Sequence, residues 1–472
     1  MLSNIVKKFL LNKDLLLGDK DKVLDNKEIN LKLKYIIEMI DNIDDDIIGV
    51  MLPRNIDYIL VILAIWKSGK AFVPLNDDWP KIHKNLIIKR SNINYLITEN
   101  KSSQIRGIKT IYLGKKDKKT KKKQKKNNKI AYIIFTSGST GEPKGVQISN
   151  RAFVTYLNWV KKNQSTKRKI NHLITGEITF DIILADLAFS LANKASIFIT
   201  DNPKNIFSAL ELIKKNKINS IYCVPSLIDK IIDGAKALSI KPIKFEFVFC
   251  GGDVFKVKLY KKIKTFFKKA KIYNMYGPTE CSMNSLGIEL NKFKNILKLK
   301  DLPTGYQFKH LNYLILNEKK KRDEQGELYI GGDQLMDGYL TKEKNKLTIP
   351  FVKINNKWFY KTGDIFRKNK NLLHFVGRKN QINKISGFRL NFSYIENSVE
   401  QLNFIKEFKL YIKDENLYGF YTRTKNINSQ ILKNFFQKKF PNYMIPKKII
   451  NIKKFPYNER GKINFNILIK KI

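Results

Sequence analysis

The stretch from Tyr132 to Val146 reads YIIFTSGSTGEPKGV, and its residue types suit a loop wrapped around polyphosphate. An apolar run with strand character, Tyr132 to Phe135, leads into Thr136, Ser137, Gly138, Ser139, Thr140 and Gly141, and then into Pro143, Lys144 and Gly145. Glycines let backbone amides approach a phosphate, hydroxyls add donors, and a lysine adds a point charge where phosphate oxygens gather. The stretch is not a Walker A loop, because that pattern needs a Gly-Lys-Ser/Thr ending and Lys144 stands between Pro143 and Gly145. Taken alone, it also reads as an exposed Gly/Ser/Thr turn.

The elements that would position such a loop follow from periodicity. Residues 1 to about 130 alternate helical patterns with short apolar runs, IIGVML at 47 to 52 and AFVPL at 71 to 75 among them, which predicts an α/β layer with a mostly parallel sheet. In TFDIILADLAFSLANKA, apolar residues at 182, 183, 184, 187, 188 and 191 describe a buried helix starting after Asp181. An aspartate there could simply cap the helix. INSIYCVPS at 218 to 226, FEFVFCGGDV at 245 to 254 and KIYNMYGPTECSM at 271 to 283 each read as a strand ending in a turn, where a ligand can sit at the carboxyl end of a sheet. In isolation Gly277-Pro278-Thr279-Glu280 is a helix-entry turn, and the Thr-Gly-Asp of YKTGD a hairpin turn. From Asp301 onward short strands and tight turns predict a distorted barrel packed on the first layers. The fold class is α/β, with a large N-terminal domain of layered sheets and helices carrying this β-barrel-like part, and a small mobile α+β C-terminal domain. No internal repeat is evident.

A chain of 472 residues with 43% hydrophobic content can bury a sizeable core and is long for one domain. Its formal charge of +48 would ordinarily suggest a nucleic-acid or anionic-membrane partner. The excess is lysine spread along the chain among Asn, Ile, Phe and Tyr, all residues with AT-rich codons, so genome composition is the preferred reading. The densest run, Lys115 to Lys129, lacks interleaved aromatics and reads as a solvated linker. Cys223, Cys250 and Cys281 show no metal-ligand spacing and are too few for a disulfide framework, which fits a reduced cytoplasmic compartment. No signal peptide is read at the N-terminus. The apolar window from Ile47 to Trp66 is broken by Arg54, Asn55 and Asp57 and is not a membrane span.

TSGSTGEPKG resembles the phosphate loop of the AMP-forming adenylating enzymes, and later segments resemble further motifs of that superfamily in the same order, from about Ile47 to Ile463. The resemblance is strongest to amino-acid adenylation domains and stand-alone D-alanine–carrier protein ligases. It implies that the phosphate loop, with Lys144, holds ATP; that Gly252, Asn274, Tyr276 and Gly277 border the nucleotide; that Thr279 contacts the α-phosphate; and that Glu280 ligates Mg²⁺. It further implies that Asp364 binds the ribose hydroxyls, that Phe375 and Arg378 pack on and hydrogen-bond to the nucleoside and phosphate, and that Lys462 bridges substrate carboxylate and nucleotide. By the same match, Asp181 holds the α-ammonium of an amino acid, and the pocket is lined by Ile182, Ala185, Cys223, Phe249, Gly251, Met275, Met283 and Asn284. Where the family has a serine two positions after that aspartate, Ile183 stands here. The family's hinge residue is Asn380, which divides a large domain at 1–379 from a lid domain at 380–472.

The implied reaction is ATP- and Mg²⁺-dependent amino-acid adenylation, followed by transfer to the phosphopantetheine thiol of a separate carrier protein, since only ten residues follow Lys462. Glycine replaces the pocket cysteine of the D-alanine ligases at Gly251, so the amino acid stays open. An acyl-CoA or aryl-acid ligase is the alternative within the family. A non-catalytic, nucleic-acid-associated protein is the alternative outside it, disfavoured by the intact Lys144, Glu280, Asp364 and Lys462.

Overall fold

The computed structural model describes residues 1–100, 105–113, 128–137, 143–202, 205–293, 296–299, 302–341, 343, 346–379, 383–385, 388–425, 429–456, 463 and 465–472. The lysine run at 114–127, the loop residues Gly138 to Glu142, Asn380 and Lys462 lie outside them. The chain separates into two compact units, one of Met1–Asp77, Ile88–Phe135 and Gly145–Lys379, the other of Asp78–Ile87, Thr136–Lys144 and Asn380–Ile472.

Two sheets organise the first unit. One has nine strands in the order Tyr306–Gln307, Leu286–Glu289, Lys271–Tyr276, Phe247–Gly251, Ser220–Cys223, Asn171–Ile174, Ser196–Ile199, Leu17–Gly18 and Val23–Leu24. Its five central strands are parallel. From Asn171–Ile174 the chain crosses through the helix Ile182–Asn193 to Ser196–Ile199 on one side, and then returns to Ser220–Cys223 on the other. That reversal is a topological switch point, and Asp181 stands at its mouth. The second sheet repeats the device: Ile47–Met51 is followed through the helix Ile56–Lys67 by Ala71–Pro74 on one side, then by Tyr95–Thr98 on the other. The strands predicted near residues 47, 71, 132, 218, 245 and 271 all form.

The helices Ile56–Lys67 and Ile182–Asn193 are apolar nearly all round, and both are buried on almost every face, as expected for helices covered on both sides. The first is capped by Asn55, whose side chain accepts from the amides of Asp57 and Tyr58, and ends before Gly69 at φ +74. That is a left-handed exit glycine adopts without strain.

The β-rich region is an antiparallel sheet of Leu311–Leu316, Gln325–Gly332, Lys357–Asn369 and Phe351–Ile354, with Leu372–Arg378 pairing the long strand. Register shifts break this pairing at Glu327/Tyr329 and at Ile365/Phe366. Bulges of this kind bend the bulged strand and sharpen its twist, and the sheet curls into a half-barrel instead of closing into a barrel.

Within the second unit, Ile405–Lys413, Asn416–Arg423 and Lys448–Asn451 form a three-stranded sheet. The helices Phe392–Glu400 and Ser429–Lys439 contribute Ile395, Leu432 and Phe436 to a core with Phe408, Phe440 and Met444.

Candidate active site

Side-chain alternation along the parallel strands sorts the sequence-predicted residues into two groups. Phe249, Gly251, Tyr273 and Met275 share one face of the sheet, because Phe249 pairs in register with Tyr273 and Gly251 with Met275. Cys250 and Asn274 pair on the other face, and two residues beyond Asn274 Tyr276 points the same way.

The second group leads to Asp364. The Tyr276 hydroxyl donates to Asp364 Oδ2 at 2.6 Å, and the Arg378 guanidinium, its cross-strand neighbour, pairs with Oδ1. The Asp364 amide donates to Thr362 Oγ1, whose hydroxyl in turn donates to the Leu328 carbonyl. Gly363, at φ +70, sits inside the long strand Lys357–Asn369, so Thr-Gly-Asp is no hairpin turn. Each Asp364 oxygen retains a second lone pair, enough for a vicinal diol to join the existing donors. Phe375 stands edge-on to Phe366, which stands edge-on to Tyr276. Asn274 donates to the Pro303 carbonyl at 2.8 Å, and the neighbouring Thr304 Oγ1 accepts from the Phe375 amide at 2.9 Å.

After Tyr276 the chain turns at Gly277, where an added Cβ would meet the Met283 carbonyl at 2.0 Å. Thr279–Cys281 forms one 3₁₀ turn with Glu280 inside it, so the helix-entry reading of this segment is also correct. Glu280 is buried, and its Oε1 accepts from the Tyr339 hydroxyl at 2.8 Å. Ser282 and Met283 then take positive φ, at 54° and 75°, a costly conformation for side-chain-bearing residues. Gln334 holds them there: its amide donates to the Cys281 and Asn284 carbonyls, and its own carbonyl accepts from Ser282 Oγ.

The first group faces Asp181. Asp181 occupies the N-cap position but makes no capping hydrogen bond, and its backbone is already helical. Its charge is felt by the phenols of Tyr132, Tyr156 and Tyr222, whose pKa values are raised chiefly by burial and further by such neighbouring groups. Asn284 bridges two of these phenols: Tyr222 donates to its Oδ1, and its Nδ2 donates to the Tyr156 oxygen, both at 2.8 Å. The turn before Asp181 is fixed by Arg54, a buried residue that donates to the carbonyls of Ile174, Gly176 and Thr200. Gly176 lets Ile182 approach closely, for a Cβ there would lie 2.3 Å from Ile182 Cγ2.

Most of the predicted pocket residues therefore converge: Asp181, Ile182, Ala185, Gly251, Met275, Met283 and Asn284 surround this face, with Phe249 deeper in a cluster with Phe189, Phe247 and Tyr273. Cys223 does not join them. It pairs in register with Cys250 and packs with Val248 in the core on the opposite side of the sheet, while Tyr222 takes the inward place. The strand alternates, and the sequence match was one residue off in direction. All three cysteines are free and buried. Thr136 and Lys144 lie on the strands Ile130–Ser137 and Pro143–Ser149, both half-buried, and Gly252 follows its strand at φ +84. Tyr156, Tyr222, Gln334, Tyr339 and Arg54 were missed. Only Tyr222 had a sequence signal, its even spacing against Phe249 and Gly251 once the strands are aligned.

A family model described as "AMP-binding enzyme" matches residues 43–340. The chain belongs to the AMP-binding enzyme family. Among curated relatives of this AMP-binding enzyme, bacitracin synthase 1 of Bacillus licheniformis is 29% identical over 429 residues, which is 89% of this chain but 8% of the relative. The chain thus spans a small fraction of that protein's length. Among solved structures, PA1221, described as containing adenylation and PCP domains, superposes with a TM-score of 0.85 at 17% identity, covering 100% of this chain and 84% of that one. The Vibrio cholerae adenylation domain AlmE, solved with glycyl-adenosine-5'-phosphate, superposes with a TM-score of 0.82 at 18% identity, covering 99% and 96%. At such identities the likeness is one of fold. No helix among the described residues is long and apolar enough to cross a membrane.

Proposed function

We propose that the chain activates an amino acid as its aminoacyl adenylate and then passes the aminoacyl group to the phosphopantetheine thiol of a carrier protein. The observation that carries this reading is Asp181: it stands at the switch point of the nine-stranded sheet, and its charge acts on the buried phenols of Tyr156 and Tyr222 that flank Asn284. A half-buried carboxylate beside buried phenols favours a cationic ligand such as an α-ammonium group over a plain carboxylic acid.

In the first half-reaction a substrate carboxylate oxygen bonds to the α-phosphorus of ATP, and the bond to the β-phosphate oxygen breaks, releasing pyrophosphate. No general base is needed, since the nucleophile is already ionised. Asp364 holds the ribose, with Tyr276 and Arg378 fixing its carboxylate. Phe375 and Asn274 border the base, while Thr279, Lys144 and the loop from Thr136 to Gly141 take the phosphates. Lys462 bridges substrate carboxylate and nucleotide. Preorganised donors of this kind commonly contribute about 10²- to 10³-fold each.

Glu280 suits Mg²⁺ that arrives with the nucleotide. It is one buried carboxylate steadied by a phenol, and among the described residues no three His, Cys, Asp or Glu side chains gather into a cage. Mg²⁺ accepts one or two carboxylates plus phosphates and waters. Bound there, the ion would neutralise charge on the phosphates. In the second half-reaction the thiol sulfur bonds to the acyl carbon, AMP leaves with the bonding electrons, and the thiol proton passes to solvent. A hinge at Asn380 would exchange the two arrangements, with the lid at 380–472. The D-alanine ligases are one branch compatible with this scheme, in a cytoplasmic setting.

Amino-acid-dependent exchange of labelled pyrophosphate into ATP tests the proposal, with Lys462→Ala as control. Exchange driven by an amino acid and lost in the control is expected. Exchange with plain carboxylic acids alone overturns the assignment of Asp181.

A further inference from the structure

Asn284 is the single polar residue among the pocket positions after Asp181, and it would be the obvious group to recognise a polar substrate side chain. Its hydrogen bonds point elsewhere. Its carbonyl oxygen accepts from Tyr222 and its amide donates to Tyr156, both at 2.8 Å, and all three side chains are buried. Tyr156 is held from behind by stacking on Trp159 and Phe308. Tyr222 lies against the backbone of the next strand: a methyl added at Gly251 would come within 2.6 Å of its hydroxyl. The remaining surface is filled by Met275, which accepts a hydrogen bond from Gln164 at its sulfur, 3.6 Å away, and by Met283 on its strained turn.

We infer that the Tyr222–Asn284–Tyr156 bridge is a wall that limits the substrate to an amino acid with a very short, uncharged side chain, of the size of glycine, alanine or serine. The inference rests on the amino-acid adenylation reading. Three physical points carry it. A hydrogen-bonded bridge of two phenols and an amide is costly to break when buried, since each group would lose its partner. The glycine at 251 creates no extra room, because Tyr222 fills the space that glycine leaves. Charged side chains find no counter-charge among Phe249, Met275 and Met283, and burying one unpaired is prohibitive. Tyr222 and Tyr156 are thus specificity-determining residues, and Asn284 positions them.

The test is pyrophosphate exchange by the full chain with glycine, both alanines, serine, leucine, phenylalanine, glutamate and lysine, run on the wild type, Tyr222→Phe, Tyr222→Ala and Asn284→Ala. In the wild type, kcat/KM for a member of the short set should exceed that for leucine or phenylalanine by at least about 10-fold, the scale on which apolar pockets discriminate. Tyr222→Ala should lower KM for leucine or phenylalanine while raising it for the short substrate. Tyr222→Phe, which keeps the bulk, should retain the exclusion, an outcome a merely structural role would not separate from the alanine change. A wild type that prefers leucine, phenylalanine, glutamate or lysine overturns the inference and leaves adenylation standing, even if no variant folds. A folded Tyr222→Ala with an unchanged profile overturns it as well. Exchange with no amino acid overturns the adenylation reading, and the inference with it.

Discussion

The Tyr339 hydroxyl donates to Glu280 Oε1 at 2.8 Å and stands 3.2 Å from the hydroxyl of Tyr360. One phenol thus meets a buried carboxylate, and a second phenol meets the first. Burial first, then the Glu280 charge, raise the Tyr339 pKa, so the phenol stays protonated and donating throughout the working range. Tyr339→Phe removes that donor from the carboxylate. The expected result is a several-fold rise in the Mg²⁺ concentration needed for half-maximal exchange, with the affinity for metal-free AMP, measured by calorimetry, unchanged. A loss of AMP affinity to match would show that Tyr339 serves the whole site and not Glu280.

Asp364→Ala should damage both binding and stability. Arg378 is only 11% exposed and would lose its carboxylate partner, and breaking one side of a buried pair costs about 3–5 kcal/mol. Asp364→Asn keeps the shape and an acceptor, so it should unfold nearer the wild type while still binding AMP at least about 10-fold more weakly. Denaturant unfolding and AMP calorimetry on the two variants check the pair.

Arg54 reaches three backbone carbonyls and the Thr200 hydroxyl from a buried position. Arg54→Met keeps the apolar stem but leaves those acceptors without a donor, a loss of about 1–3 kcal/mol for each one not reached by water. The turn carrying Asp181 should loosen as well. Unfolding midpoint and KM for the amino acid are both expected to worsen, while KM for ATP stays close to the wild-type value.

His172 connects Ser220 and Asp186 in a fully buried chain, with Nδ1 2.9 Å from Ser220 Oγ and Nε2 2.7 Å from Asp186 Oδ1. Burial pushes the Asp186 carboxyl up to about 6, against the pull of the His172 bond. An acid whose folded pKa lies above its unfolded value stabilises the protein fully below that unfolded value, about 4, and loses the contribution as pH rises through the folded one. Stability should therefore fall between about pH 4 and pH 6 from this group. Asp186→Asn should flatten that part of the profile in urea unfolding across pH 4 to 7. An unchanged slope would show that Asp186 is not the group responsible.

Much of this was legible in the sequence, for identifiable reasons. Strands bounded by turn signals and helices with a clear apolar face declare themselves locally, and Asp181 and Glu280 each lie beside such a boundary, whereas Asp364 is inside the long strand Lys357–Asn369. What escaped depends on direction or on distant backbone. Cys223 and Tyr222 are neighbours, and only the register with Phe249 and Cys250 decides which one faces the pocket. Arg54 and Gln334 act on carbonyls between 50 and 146 residues away. A carbonyl has no residue identity, so no motif announces its partner. The Asn284 bridge was invisible for a related reason: its two tyrosines come from a helix and a strand that meet only in the folded core.

Asp364 and Arg378 are cross-strand partners on two arms of one hairpin, joined through Lys370 and Asn371. Because strand faces alternate, the arms tolerate length changes very unevenly. An inserted residue between Asp364 and Asn369, or between Leu372 and Arg378, would turn the carboxylate and the guanidinium to opposite faces. The same insertion at the exposed tip would leave both in place, so the hairpin end is where this chain can accept a tag or an added loop without disturbing the Asp364–Arg378 pair.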